Sequence, residues 1–451
     1  MEKKWEEMSA DEKQEAMFQR WLSPKDPEGN DLKFQSPEAE KLYKENVTRI
    51  KDAIQLKKLP DRVPVTIIPS MWPVFYSGMT VQEAMYDYDK TSKAFIKFIL
   101  DFEPDTHMGS AQFGPGKFFE ILDYRLYAWP GHGVSPEHSY QCLEGEYMKA
   151  DEYDALIDDP SSFFSNVYLP RVFGALEPFQ MLPFLPGILE IYGVAFNFIP
   201  YGLPPVQAAL KALMDAGAEA LKWAGAVGGV DGELATLGFP QILGGFTKAP
   251  FDTIGDTLRG TKGIMVDMYR QPDKLLQALD AITPHMIQMG VGAAQMMGRP
   301  IIFMPLHKGA DGFLSDEQFK KFYWPTFRKV MLGLIEGGCV PFPAAEGGYN
   351  SRLKIVQDIP KGKTLWMMID QTDMVRAKEI LGKNACLLGN MPSSMLNLGT
   401  PQDVKDHAKK LIDTAGKGGG FIMSNGAFFD HAKPENVKAM VDFTKEYGVY
   451  K

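Results

Sequence analysis

Three short apolar runs decide how the chain is read: IIFMPLHKGADGF (301–313), CVPFPAAEGGYN (339–350) and TLWMMIDQTD (364–373). Each is apolar throughout rather than alternating, and each is followed by a helical pattern. That combination marks a buried parallel strand inside a βα unit. Parallel strands in such folds open their carboxyl ends toward one common mouth. His307, Glu346 and Asp370 stand just past the three runs and are therefore expected to converge there. A second reading of Asp370 stays open, because a carboxylate at a strand end also serves as the N-cap of the next helix.

The flanking sequence has the same organisation. RVPVTIIP (62–69), ACLLG (385–389) and GFIMS (420–424) are further core strands. Thr80-x-x-Glu83 and Ser315-x-x-Gln318 are capping boxes, the first opening one long helix over 81–100. Thr400 as N-cap, Pro401 at N1 and Gly382 as a C′ glycine punctuate the later units. VQAALKALMDAGAEALKWAG (206–225) predicts a helix followed by two glycine-rich loops, AVGGVDGE (226–233) and LGFPQILGGF (237–246). Neither loop has a phosphate-cradling spacing. A loop carrying Asp252, Asp256 and Arg259 then leads into a helix that ends near Gly298. The alternation runs from Arg62 onward without a linker, which predicts an α/β fold, a closed (β/α)8 TIM barrel over residues 61–451. Residues 1–60 are charged and helical in pattern and are expected to form an N-terminal helical extension outside it.

The stretch 101–141 is rich in glycine, proline and aromatics and contains His107, His132 and His138. A loop of that length in a compact domain is usually functional, which makes Asp123 and His132 candidates for a pocket rim. Each histidine also reads as an ordinary loop residue. Residues 172–210 are strongly apolar and lack Lys and Arg, but prolines at 178, 183, 186, 200, 204 and 205 interrupt every window able to span a bilayer. The stretch is either a lid over an apolar pocket or a dimer interface.

With 451 residues, 45% of them hydrophobic, the chain can bury one large core. A formal charge of -9 and the lack of a basic stripe exclude nucleic acid and anionic lipid as expected partners. Three cysteines without CxxC spacing and a charged N-terminus without an apolar signal core point to the cytoplasm.

DTLRGTKGIMVDMYRQPDKL (256–275), SDEQFKKFYWP (315–325), IDQTDMVRAKEILG (369–382), LLGNMPSSMLNLGTPQDV (387–404) and GGGFIMSNGAFFDHAKPENVKAM (418–440) together resemble the uroporphyrinogen decarboxylase superfamily. That superfamily also holds the corrinoid- and coenzyme M-linked methyltransferases, and its members are (β/α)8 barrels. Trp72, Tyr76, His132 and Asn390 are expected as substrate contacts in a pocket at the strand carboxyl ends, and the resemblance puts Asp123 in the place of the decarboxylase's catalytic aspartate. The chain departs from the decarboxylase after its first strand, where IIPSMWPVFYSGMT (67–80) has no arginine or lysine to pair substrate carboxylates. It departs from the zinc methyltransferases too. Their His-x-Cys and final Cys ligands correspond here to Ala344, Glu346 and Ala427.

His307 and Glu346, with Asp370, would then form a harder nitrogen and oxygen site for zinc, or Glu346 would act as an acid without metal. The expected activity is transfer of a methyl group from a small methylated donor, such as an aromatic methyl ether, to the cobalt of a corrinoid, free or on a partner protein. The alternatives are a lyase acting on a carboxylated substrate through Asp123, and a non-catalytic barrel.

Overall fold

The computed structural model describes residues 3–26, 28–183, 187–369 and 371–451. Six parallel strands pair side by side in chain order. They are β3 (Gly245–Phe246), β4 (Ile301–Leu306), β5 (Val340–Ala345), β6 (Leu365–Met368), β7 (Cys386–Met391) and β8 (Phe421–Asn425). Two extended segments, β1 (residues 63–68) and β2 (residues 105–108), join the free edges. Val65 pairs with Met423, Thr66 with Thr106 and His107 with Gln241, all in parallel. Backbone bonds from Thr66 N to Met423 O (3.0 Å), Asp105 N to Val65 O (2.8 Å) and Ile242 N to His107 O (2.8 Å) complete the ring. The fold is the expected (β/α)8 barrel. Asn425 tightens the seam, since its side chain accepts from Ile68 N at 2.8 Å and donates to Ile68 O at 2.7 Å, extending the ladder where two strands diverge.

The lumen and the helical shell have separate cores. Ile242, Ile301, Phe342, Met367, Leu388 and Ile422 fill the lumen, and they pack with Phe18 and Trp21 of α1 (Ala10–Leu22) and Tyr43, Ile50 and Ile54 of α2 (Pro37–Gln55). The N-terminal helices therefore plug the amino end of the barrel; they do not lie outside it. Apolar burial drives this, at about 1.5–3 kcal/mol for each large side chain, and polar clamps set the register. Asn46 donates to Gly238 O, and Arg49 reaches both Asp61 and Asp105.

Elsewhere local structure departs from expectation in four places. The helix expected over 81–100 is two, Val81–Tyr86 and α3 (Tyr88–Phe102), because the Asp87 side chain caps the second by accepting from Lys90 N. After α4 (Ile191–Phe198), the helix α5 (Pro204–Thr236) runs straight through the expected AVGGVDGE loop. Burial of Val230 and Leu234 outweighs the roughly 1 kcal/mol that each glycine costs a helix. Pro250–Asp252 and Thr253–Leu258 are helical, not loop, the second in π form. Gly382 caps its helix in a right-handed conformation, φ -61°, rather than as a left-handed C′ glycine.

Residues 109–240 form an insert between β2 and β3 that contains α4, α5 and a small sheet of three strands, Tyr127–Pro130, Gly133–Val134 and Gln141–Cys142. Met148 N donates to Leu258 O at 2.8 Å, fastening the insert to the helical turn that follows β3.

Candidate active site

β4 delivers His307 and Lys308 at its carboxyl end, and its neighbour β5 delivers Glu346. After β3 the chain turns at Lys248 into the short helix bearing Asp252 and Asp256, four residues apart and so on one face. Asp252 is fully buried and fixes the exit of β4. It accepts from His307 N at 3.3 Å, Lys308 N at 2.8 Å and the Tyr323 hydroxyl at 2.5 Å. Gly255 leaves room for the Lys308 stem, whose Cε would lie 2.7 Å from a Cβ at that position.

Asp256 is the hub. Its Oδ2 lies 2.6 Å from His307 Nδ1 and 2.5 Å from Lys248 Nζ, and its Oδ1 lies 2.8 Å from Lys308 Nζ. On the other side of the imidazole, Nε2 is 3.7 Å from Glu346 Oε1. Burial alone would raise the Asp256 pKa, but the His307 hydrogen bond and the charges of Lys248, His307 and Lys308 hold it well below the usual carboxylate range. Burial would lower the His307 pKa, yet the hydrogen bond and charge of Asp256, with the charge of Glu346, leave it raised. Glu346 is raised by burial, with His307 opposing. The mouth therefore sets an imidazole and a carboxyl group, each with raised proton affinity, on either side of one gap.

The insert borders this mouth. Glu144 lies 3.8 Å from Lys308 Nζ and also accepts from Thr261, which itself receives the Lys308 ammonium at 2.9 Å. Burial raises the pKa values of the Cys142 thiol and the Tyr127 phenol, and the charge of Asp256 comes next for the thiol.

His307 and Glu346 are thus brought together as expected. The other candidates lie in other surroundings. Asp123 ends a helix of the insert with its side chain 3.4 Å from Arg125. His132 stacks on Trp129 at 4.6 Å and bonds Glu120 at 2.8 Å. Trp72 is buried against Phe98, Phe102 and Phe429, and the Tyr76 hydroxyl donates to Asp101. Asn390 is buried and donates to Thr372 O at 2.9 Å. His107, expected in a loop, lies on β2, wholly buried, where burial pushes its pKa down to about 3. Asp370 lies outside the described residues. Asp256, Asp252, Lys248 and Lys308 carry much of the site and were not singled out as chemical residues; the Asp-x-x-x-Asp spacing directly after a strand was the available signal.

Zinc needs three protein donors. Among the described residues no three His, Cys, Asp or Glu side chains are arranged to hold a metal ion. His307 spends Nδ1 on Asp256, and two ammonium groups already occupy that carboxylate. The described residues do not fit a zinc site by themselves.

A barrel with a polar mouth at the carboxyl ends of β3 to β5 defines the class, and comparison with known proteins agrees. Residues 234–447, just under half of the chain, match the family model "Uroporphyrinogen decarboxylase (URO-D)". The chain is 38% identical over 79 residues to the uroporphyrinogen decarboxylase of Chlorobium phaeovibrioides, covering 16% of this chain and 22% of that protein. It is 24% identical over 217 residues to the one of Syntrophotalea carbinolica, covering 47% of this chain and 60% of that protein. The chain thus spans less than two thirds of the length of these curated relatives. Among solved structures, a methyltransferase from Methanosarcina mazei superposes with a TM-score of 0.57 at 16% identity, over 90% of this chain and 98% of that one, which is a likeness of fold. Among the described residues no helix is long and apolar enough to cross a membrane.

Proposed function

We propose that this protein is a methyltransferase that takes a methyl group from the oxygen of a small donor, an aromatic methyl ether being the favoured class, and delivers it to the cobalt of a corrinoid. The observation that supports it is the gap between His307 Nε2 and Glu346 Oε1. At 3.7 Å it is too long for a direct hydrogen bond. An oxygen atom placed at about 2.8 Å from each would receive both.

When bound, the corrinoid, free or on a partner protein, supplies the nucleophile that accepts the methyl group. The chain's own residues manage the leaving oxygen. Breaking a methyl–oxygen bond leaves an alkoxide or phenoxide, and a proton delivered as the bond breaks neutralises it. His307 holds that proton on Nε2, and Asp256 on Nδ1 keeps the ring oriented and favours its cationic form. Glu346 supplies the second hydrogen bond to the same oxygen. Bulk protons then restore His307.

Transfer of methyl from an aromatic methyl ether to added cob(I)alamin tests the reading, with Glu346→Gln and His307→Ala beside the native chain. Wild-type rates in both variants would remove it. A lyase acting on a carboxylated substrate is the second reading, favoured by the names of the relatives and by Lys248 and Lys308 at the mouth. Both ammonium groups are engaged by Asp256, which makes them poor substrate anchors. Carbon dioxide release without methyl transfer would select it.

A further inference from the structure

We infer that the insert carries a self-association surface whose partner is a second copy of this chain. Within residues 187–202, Leu189, Ile191, Tyr192, Phe196, Phe198 and Ile199 face solvent, from 51% exposed at Phe198 to 88% at Ile191. At roughly 150–250 Å² for a large aromatic side chain, and somewhat less for an aliphatic one, these fractions amount to about 600–900 Å² of apolar surface. That is above the roughly 300–600 Å² of the largest patch on an ordinary monomer. It is of the size, ~800 Å², that each partner contributes to a standard interface.

Composition decides what covers it. From 172 to 210 the chain has no Lys or Arg, and its only charged residues are Glu177 and Glu190. A partner that must dock and leave meets a surface about as polar as the rest of a protein, whereas permanent homodimers bury a more apolar face. Membrane-surface helices carry a basic rim, which this segment lacks in a chain of net charge -9.

The following helix carries a second stretch of the same kind. On α5, Met214, Ala218, Leu221, Gly225 and Gly228 are exposed at alternating steps of four and three residues, the spacing of a helix-pairing seam. A Cβ at Gly225 or Gly228 would meet nothing within 4 Å, so another helix can approach closely. A two-fold dimer uses the same patch on both subunits.

Sedimentation analysis of the full chain at micromolar concentration tests this independently of the reaction. The native protein is expected at twice the 50.4 kDa chain mass. The Ile191→Asp/Phe196→Asp double variant is expected at half the native mass with unchanged far-UV circular dichroism, while Met296→Asp, a control at an exposed apolar site outside the insert, keeps the native mass. If the double variant loses its fold, Leu221→Glu replaces it with the same expectation. A native chain that runs as a single 50.4 kDa species, or a folded variant that keeps the native mass, overturns the inference. So does flotation of a monomeric native chain, but not of the variant, with phosphatidylcholine vesicles.

Discussion

Among the described residues, two histidine–carboxylate pairs are nearly alike in their immediate geometry. His307 lies 2.6 Å from Asp256 at the barrel mouth, and His132 lies 2.8 Å from Glu120 in the insert. The imidazoles are similarly exposed, 38% and 41%. Each carboxylate has further donors, Lys248 and Lys308 on Asp256, Tyr86 and Lys117 on Glu120. What separates them is the far side of the ring and the backbone beneath it. His307 uses Nδ1 for its carboxylate and points Nε2 at a second acid, Glu346, from a strand end clamped by buried Asp252. His132 uses Nε2 for Glu120, stacks on Trp129 and sits in a tight turn where its N–H donates to Trp129 O. A histidine–carboxylate bond alone therefore marks nothing; a second acid across an open ring nitrogen is what sets the first pair apart.

The sharpest break of this comparison is at Glu346 and His307. Loss of a positioned proton donor typically costs about 10²–10⁴ in rate. Glu346→Gln and His307→Ala are each expected to lower kcat/KM for methyl transfer by that much, whereas His132→Ala should stay within roughly tenfold. Comparable losses at the two histidines would erase the distinction.

Next in size is the stability carried by the carboxylates. Removing Asp256 leaves two nearly buried ammonium groups beside an imidazolium, and stripping one partner from a buried ionic cluster costs about 3–5 kcal/mol. Asp256→Asn should therefore shift the urea midpoint far more than Glu120→Gln, whose partly exposed pair is worth about 0–1 kcal/mol. Tyr323→Phe removes one of three donors from buried Asp252 and should cost about 1–3 kcal/mol. Equal midpoints for all three variants would show that burial at the mouth contributes little.

Much of this arrangement was legible in the sequence, for a definable reason. The runs at 301–306, 340–345 and 365–368 are continuous because parallel strands are covered on both faces, so His307 and Glu346 could be placed at strand ends from sequence alone. β2 escaped because Asp105, Thr106 and His107 read as loop residues. Their burial depends on Arg49 and Arg62 reaching Asp105 from distant positions and on Phe95 covering His107. β3 escaped because its glycines look like a loop until β4 lies beside them. Trp72 reads equally as a pocket wall or a core residue, and only contact with Phe98, Phe102 and Phe429 assigns it to the core. The hub role of Asp256 was hidden for a similar reason. Three cations reach it from two segments, and no single stretch displays them together.

The smallest expected effect is the most discriminating, because it reads the His307–Asp256 bond through pH. The His307 pKa lies above its unfolded value of about 6.5. Its contribution to stability is therefore complete below about 6.5 and is lost as pH rises through the raised value. Asp256 is depressed, so its contribution is present above about 3.9 and is lost as pH falls through the depressed value. The difference in unfolding free energy between the native chain and Asp256→Asn should accordingly be largest between about pH 4 and 6.5 and narrow above that window. Activity follows the same proton. If protonated His307 is the donor, kcat/KM falls on the alkaline side of its pKa. In Asp256→Asn, burial and the neighbouring lysines remain while the supporting charge is gone, so the falling limb should move toward acid. Histidine Cε1–H resonances followed by NMR titration measure that shift directly. A His307 titration that Asp256→Asn leaves in place would mean that the 2.6 Å contact does not set its proton affinity, and the difference between the two histidine pairs would then lie in Glu346 alone.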